Sequence, residues 1–165
     1  MKVLFLDHDG VICLSREWGS RFQKKKRFLL EGGDENNLPP NIRFDNFNKM
    51  AVDVLNEIII TSGTEIVCSS DWRLYATLEE MRDLFYQYGV IKGPIDFTPE
   101  LQTITKKANI RVEEIKLWLN NHPEVTNWVA IDDMDLSELD NFVKTREREG
   151  LKQCNISSKI LKFLQ

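Results

Sequence analysis

Long apolar runs are missing from this chain, and so is any excess of basic charge. No stretch of the 165 residues approaches the length needed to cross a bilayer. The N-terminal run Lys2-Val3-Leu4-Phe5-Leu6 breaks at Asp7, before a signal-peptide cleavage pattern can form, so a cytoplasmic protein is expected. A net charge of −4 excludes a globally basic nucleic-acid binder and leaves room only for a local patch. Lys24-Lys25-Lys26-Arg27 is the one candidate, and such a run is more often a solvated helix face. The three cysteines, Cys13, Cys68 and Cys154, lack the spacing of a zinc site, a redox pair or a disulfide framework, and are expected as small buried thiols. No internal repeat or domain boundary is visible, so one domain over residues 1–165 is expected. An apolar fraction of 42% with 29% charged residues leaves no case for disorder.

What the chain does have is two carboxylates in an awkward place. The run Val3-Leu4-Phe5-Leu6 reads as a strand buried on both faces, and it ends in Asp7-His8-Asp9-Gly10. Side chains alternate across a strand, so Asp7 and Asp9 share a side, roughly 6–7 Å apart, and His8 points away. Carboxylates that close need a cation between them, a shared proton, or a loop that separates them. A hard cation with oxygen ligands is the favoured relief, and Mg²⁺ is the usual choice where a phosphate also binds. Gly10 permits a sharp turn and a close approach to the backbone. The structural alternative is that the pair merely forms a turn, as aspartates after strands often do.

The order of elements is legible. A helix is expected over Arg16–Leu30, ending at Gly32-Gly33, then a polar loop with Pro39-Pro40. Phe47, Met50, Ala51, Val54, Leu55, Ile58 and Ile59 recur at helical spacing, with Gly63 as the cap. Glu65-Ile66-Val67-Cys68 is a second strand, running into Ser69-Ser70-Asp71-Trp72-Arg73. Thr77-x-x-Glu80 is a capping box opening a helix that Gly89 closes, and a short strand is expected at Val90-Ile91. A helix through Val112, Ile115, Trp118 and Leu119 precedes a strand from Asn127 to Ile131 that ends in Asp132-Asp133, and Ser157–Leu164 closes the chain as a helix. Alternating strands and helices predict an α/β fold, a three-layer Rossmann-like parallel sheet with helices on both faces. The polar ends Asp7-x-Asp9, Ser69-Ser70 and Asp132-Asp133 would then meet at one edge.

These residues resemble the haloacid dehalogenase superfamily of Mg²⁺-dependent phosphohydrolases. Leu4-Phe5-Leu6-Asp7-His8-Asp9-Gly10-Val11 is similar to its first signature and Ile66-Val67-Cys68-Ser69 to its second. Arg111, read as opening the Val112-Glu113-Glu114-Ile115 helix, can supply the third, and Val129-Ala130-Ile131-Asp132-Asp133 resembles the fourth. Ser-Ser-x-Trp-Arg followed by R-x-x-E-I-x-x-W-L further resembles small proteins related to the phosphatase modules of RNA-repair enzymes.

The resemblance implies hydrolysis of a phosphomonoester through an aspartyl-phosphate. Asp7 would be the nucleophile and Asp9 the proton carrier. Asp7, Asp9 through its backbone carbonyl, Asp132 and Asp133 would hold Mg²⁺, while Ser69 and Arg111 would bind the phosphoryl oxygens. Ser70 offers the same hydroxyl one residue on, and Lys106 or Lys107 could replace Arg111. Trp72 and Arg73 are read as loop-packing and loop-pinning residues, His8 and His122 as structural or exposed, and Trp118 as core. Substrate selection in the superfamily comes largely from inserted caps, and here only about residues 13–45 are available for a small one. The substrate implied is a small phosphorylated molecule or a nucleic-acid end, with Lys24–Arg27 as a possible backbone contact. The non-enzymatic alternative is a degenerate phosphate-, metal- or partner-binding module.

Overall fold

The computed structural model describes residues 1–102 and 107–165, and of Lys107 only the backbone. Lys106 and the side chain of Lys107 therefore lie outside the described residues. Five strands, β1 (Lys2–Leu6), β2 (Glu65–Cys68), β3 (Asp96–Phe97), β4 (Asn127–Asp132) and β5 (Phe142–Lys144), form one all-parallel sheet in the order β3-β2-β1-β4-β5. The central strand is thus the one that leads into Asp7.

Strand alternation sorts the apolar residues into two cores. Leu4, Leu6, Ile66, Cys68, Val129 and Ile131 face one side and pack with helices α3 (Lys49–Ser62), α4 (Leu78–Gln87) and α6 (Ile156–Phe163). Val3, Phe5, Val67 and Ala130 face the other and pack with Val112, Ile115 and Trp118 of α5 (Lys107–Asn120). The expected doubly covered parallel sheet is the one found. Among the described residues no helix is long and apolar enough to cross a membrane.

Local signals set most boundaries. Asn48 caps α3 by accepting from the Ala51 N–H at 3.1 Å, and Gly63 closes it at φ 70°. Thr77 and Glu80 form the expected capping box. Three expectations fail. Val90-Ile91 is not a strand, because the Val90 N–H donates to Phe85 O at 2.9 Å while Gly89 stands at φ 84°, which closes α4 as a helix stop with Val90 buried beneath it. The strand comes later, as the two-residue β3, and β5 has too few residues to show periodicity. The helix expected from Arg16 starts later: Ser15–Glu17 is a 3-10 turn, Gly19 breaks the path at φ 87°, and α1 covers Ser20–Leu30, followed by the one-turn α2 (Pro40–Arg43). Cys154 is exposed, while Cys13 and Cys68 are buried.

Candidate active site

The register fixes the centre of the site. Leu6 is paired with Cys68 on one side and Ile131 on the other. The ladder continues one step further, with Ser69 N–H donating to Leu6 O and Asp7 N–H to Ile131 O, both at 3.1 Å. Ser69, Asp7 and Asp132 therefore stand side by side at the carboxyl edge. By alternation all three fall on the face covered by α5.

Arg111 of α5 reaches that row. Its Nη1 lies 2.8 Å from Asp132 Oδ2 and 3.2 Å from Asp7 Oδ1, and its Nη2 donates to Asp71 Oδ1 at 2.9 Å. Arg111 does not open the helix as expected, since α5 is already formed at Lys107. Three residues on, on the same helix face, Glu114 receives Arg73 Nη2 at 2.9 Å. Arg73 also donates to the carbonyls of Ser70 and Thr98 at 3.0 Å, which pins the loop after β2 as its sequence reading proposed. The R-x-x-E spacing thus serves the Asp7 and Asp132 carboxylates and the loop after β2 from one helical stripe.

Oxygens of Asp7, Asp132 and Asp133 lie within 4.8 Å of one another. Burial first, then the Asp132 charge, raises the Asp7 carboxyl well above its ordinary range, and the same two causes push Asp133 up to about 6. These are carboxylates in need of a cation, and an all-oxygen donor set suits a hard one. Gly10 makes room for them: at φ 75° its hypothetical Cβ would stand 2.5 Å from Asp133 Oδ2.

Asp9 is held apart from this cluster. Its Oδ2 accepts from the Trp72 indole N–H at 3.1 Å, and burial raises its carboxyl despite that bond. Trp72 is stacked on Phe44, with ring centroids 4.7 Å apart and planes 7° from parallel. His8 points to the opposite side, fully buried with Phe47, Trp72 and Phe85 around it, and burial lowers it to about 3. Ser70 Oγ is engaged by the Trp72 N–H at 3.2 Å, capping the 3-10 turn Asp71–Tyr75.

A cavity of about 950 Å³ opens over the row, walled by Asp7, Asp9, Ser70, Arg111 and Asp133 below and by Trp18, Arg21, Arg43 and Asp45 of the 13–45 stretch above. None of Lys24, Lys25, Lys26 or Arg27 lines it. Lys24 instead donates to Phe44 O at 2.7 Å and Tyr88 Oη at 3.1 Å, and Lys25 pairs with Glu35. The cations that do face the cavity from this stretch, Arg21 and Arg43, carried no sequence signal, because each is a single charge outside the Lys24–Arg27 run. Asp71 could have been suspected from its place beside Ser69-Ser70.

A parallel α/β sheet with clustered acids at the carboxyl ends of its central strands, and a buried arginine across them, defines the Rossmann-like haloacid dehalogenase class. Within that class the chain belongs to the family described as the HAD domain in Swiss Army Knife RNA repair proteins, whose model matches residues 3–156. No curated protein and no solved structure matches the chain. Membership implies phosphohydrolase chemistry, and the acidic cluster is of the kind that holds a metal.

Proposed function

We propose that the protein is a phosphomonoesterase that works through an aspartyl-phosphate on Asp7, acting on the terminal phosphate of a nucleotide or polynucleotide. The adjacency of Ser69, Asp7 and Asp132 under Arg111 carries this reading. It supplies nucleophile, phosphate anchors and acidic cluster within one sheet edge. The family's description as a domain of RNA repair proteins supports the choice of substrate.

A Mg²⁺ ion held by Asp7, Asp132, Asp133 and the backbone carbonyl of Asp9 would neutralise the acids and polarise the phosphoryl oxygens. The chain's own groups carry the steps. Asp7 attacks phosphorus in line, and the ester P–O bond breaks as Asp9 gives its proton to the leaving oxygen. Asp9, now a carboxylate, takes a proton from water, whose oxygen attacks the aspartyl-phosphate, releasing phosphate and restoring Asp7. The raised Asp9 carboxyl suits the first role, and the Trp72 N–H steadies the ion formed between steps. Ser69 and Arg111 bind the equatorial oxygens, where charge is spread in the transition state. Ser69 is favoured for its place in register beside Asp7 on the face covered by α5, whereas Ser70, which lines the cavity, turns its Oγ to accept from the Trp72 N–H. The 13–45 stretch acts as a small cap.

The test is turnover of an aryl phosphate with and without Mg²⁺, in wild type and Asp7→Asn. Mg²⁺-dependent turnover abolished by the substitution is expected. Turnover that survives it removes Asp7 as nucleophile, and the absence of any turnover in wild type favours a binding module.

A further inference from the structure

We infer that substrate is selected by stacking its terminal base on Trp18 and Tyr75 at the cavity mouth, rather than by attraction of a polyanionic backbone. This rests on the proposed phosphatase reading and adds the chemical class of leaving group, one carrying a planar aromatic base.

The two rings are set for a ligand. Trp18 and Tyr75 both line the cavity that contains Asp7, and they are 42% and 67% exposed. Ring stacking in the cavity wall joins Phe44 to Trp72, and among the described residues neither Trp18 nor Tyr75 meets another ring. Neither residue is loosely placed. The Trp18 indole N–H donates to Cys13 O at 3.2 Å, which anchors the polar edge of a ring that remains 42% exposed. Tyr75 ends the 3-10 turn that carries Trp72, and its carbonyl accepts from Arg43 Nη1 at 2.7 Å. Large aromatics left open beside buried acids are suited to a ligand with one apolar, planar end and one anionic end.

Charge argues against a backbone channel. Five aspartates and three arginines line the cavity. Each arginine is already answered: Arg21 by Asp45 at 2.9 Å, Arg43 by Glu80 at 2.8 Å, and Arg111 by its own acids. The basic run Lys24–Arg27 lies off the cavity. A wall so neutralised has few free cations to release counterions from a strand, so the salt dependence of binding should be shallow.

The test compares adenosine monophosphate with ribose phosphate esterified at the same position, both with Mg²⁺. Wild type is expected to prefer the nucleotide by roughly tenfold or more in kcat/KM, the scale of one base stacked on protein aromatics. Trp18→Ala and Tyr75→Ala should each reduce that ratio severalfold, while Trp18→Phe keeps most of it. Equal use of both compounds by wild type overturns the inference and leaves the phosphatase reading standing. If neither compound turns over, fluorescence titration with adenosine monophosphate still decides. Weakening by Tyr75→Ala then supports the stacking site even as the phosphatase reading falls, and unchanged affinity overturns it. An oligonucleotide ending in the same phosphorylated nucleotide separates free nucleotide from strand end. Values within a few-fold of the mononucleotide, with no steeper salt slope, are expected, and a large gain that salt abolishes would overturn recognition by the base alone.

Discussion

Replacing Arg111 by Met should destabilise the protein more than any surface charge change, and in a way that a divalent cation partly repairs. The guanidinium is buried against Asp7 and Asp132, themselves buried, while the third partner, Asp71, has a 41% exposed side chain and contributes little. Met retains much of the stem's packing, so the loss isolates the charge. Removing one member of a buried ion cluster leaves the others uncompensated, at about 3–5 kcal/mol. For a chain of this length that lowers Tm by on the order of 10 °C. Asp7 can relieve part of the strain by taking a proton, since burial already raises its carboxyl, so the loss should be smaller at acid pH. Mg²⁺ at a hundred times its Kd should return roughly 2.7 kcal/mol. Urea unfolding followed by tryptophan fluorescence, with and without Mg²⁺, measures all of this. A loss below about 1 kcal/mol, or one indifferent to Mg²⁺, would refute the view that Arg111 and a cation neutralise the same acids.

Trp72→Phe removes the indole donor to Asp9 while keeping an aromatic ring on Phe44. kcat/KM for an alkyl phosphate should drop by roughly 10–100-fold and that for an activated aryl phosphate much less, because only the former needs its leaving oxygen protonated; equal losses would place Trp72 in packing alone. Asp133 binds its proton more tightly folded than unfolded, so its stabilising contribution to the metal-free protein is complete below the unfolded carboxylate range and disappears as pH rises through about 6. Melting curves of wild type against Asp133→Asn should diverge with that sign, and the Mg²⁺-induced rise in Tm, which needs ionised ligands, should be larger at pH 8 than at pH 5; a rise equal at both would contradict the acidic cluster as its site. Gly10→Ala forces a Cβ onto Asp133 in a left-handed backbone and should weaken Mg²⁺ affinity, read by the same melts, with unchanged affinity counting against the close approach.

Much of the architecture was legible because burial leaves a periodic mark. Both faces of β1 are covered, so its run is apolar throughout; α3 ends at the Gly63 cap its sequence announces, and α4 opens on the Thr77/Glu80 pair. The acids were legible for the opposite reason, since Asp7 and Asp132-Asp133 interrupt strands that are otherwise unbroken. What was missed has no period. β3 and β5 have two and three residues, and their position depends on neighbours already in the sheet. Val90 resembled a strand residue because a helix stop also wants an apolar side chain after its glycine. Lys24–Arg27 drew attention as a charge run, although exposure and local partners, not density, decide which cations meet a ligand. Arg21 and Arg43 became visible only once the chain around Phe44 was folded over the sheet edge.

The proposed covalent step is open to a direct test. Enzyme mixed with a radiolabelled phosphomonoester and Mg²⁺, quenched in acid within one turnover and digested, should yield label on the peptide that contains Asp7, released by hydroxylamine and absent from Asp7→Asn. Stoichiometric turnover with label on no peptide, or on a peptide lacking Asp7, would contradict nucleophilic catalysis by that carboxylate.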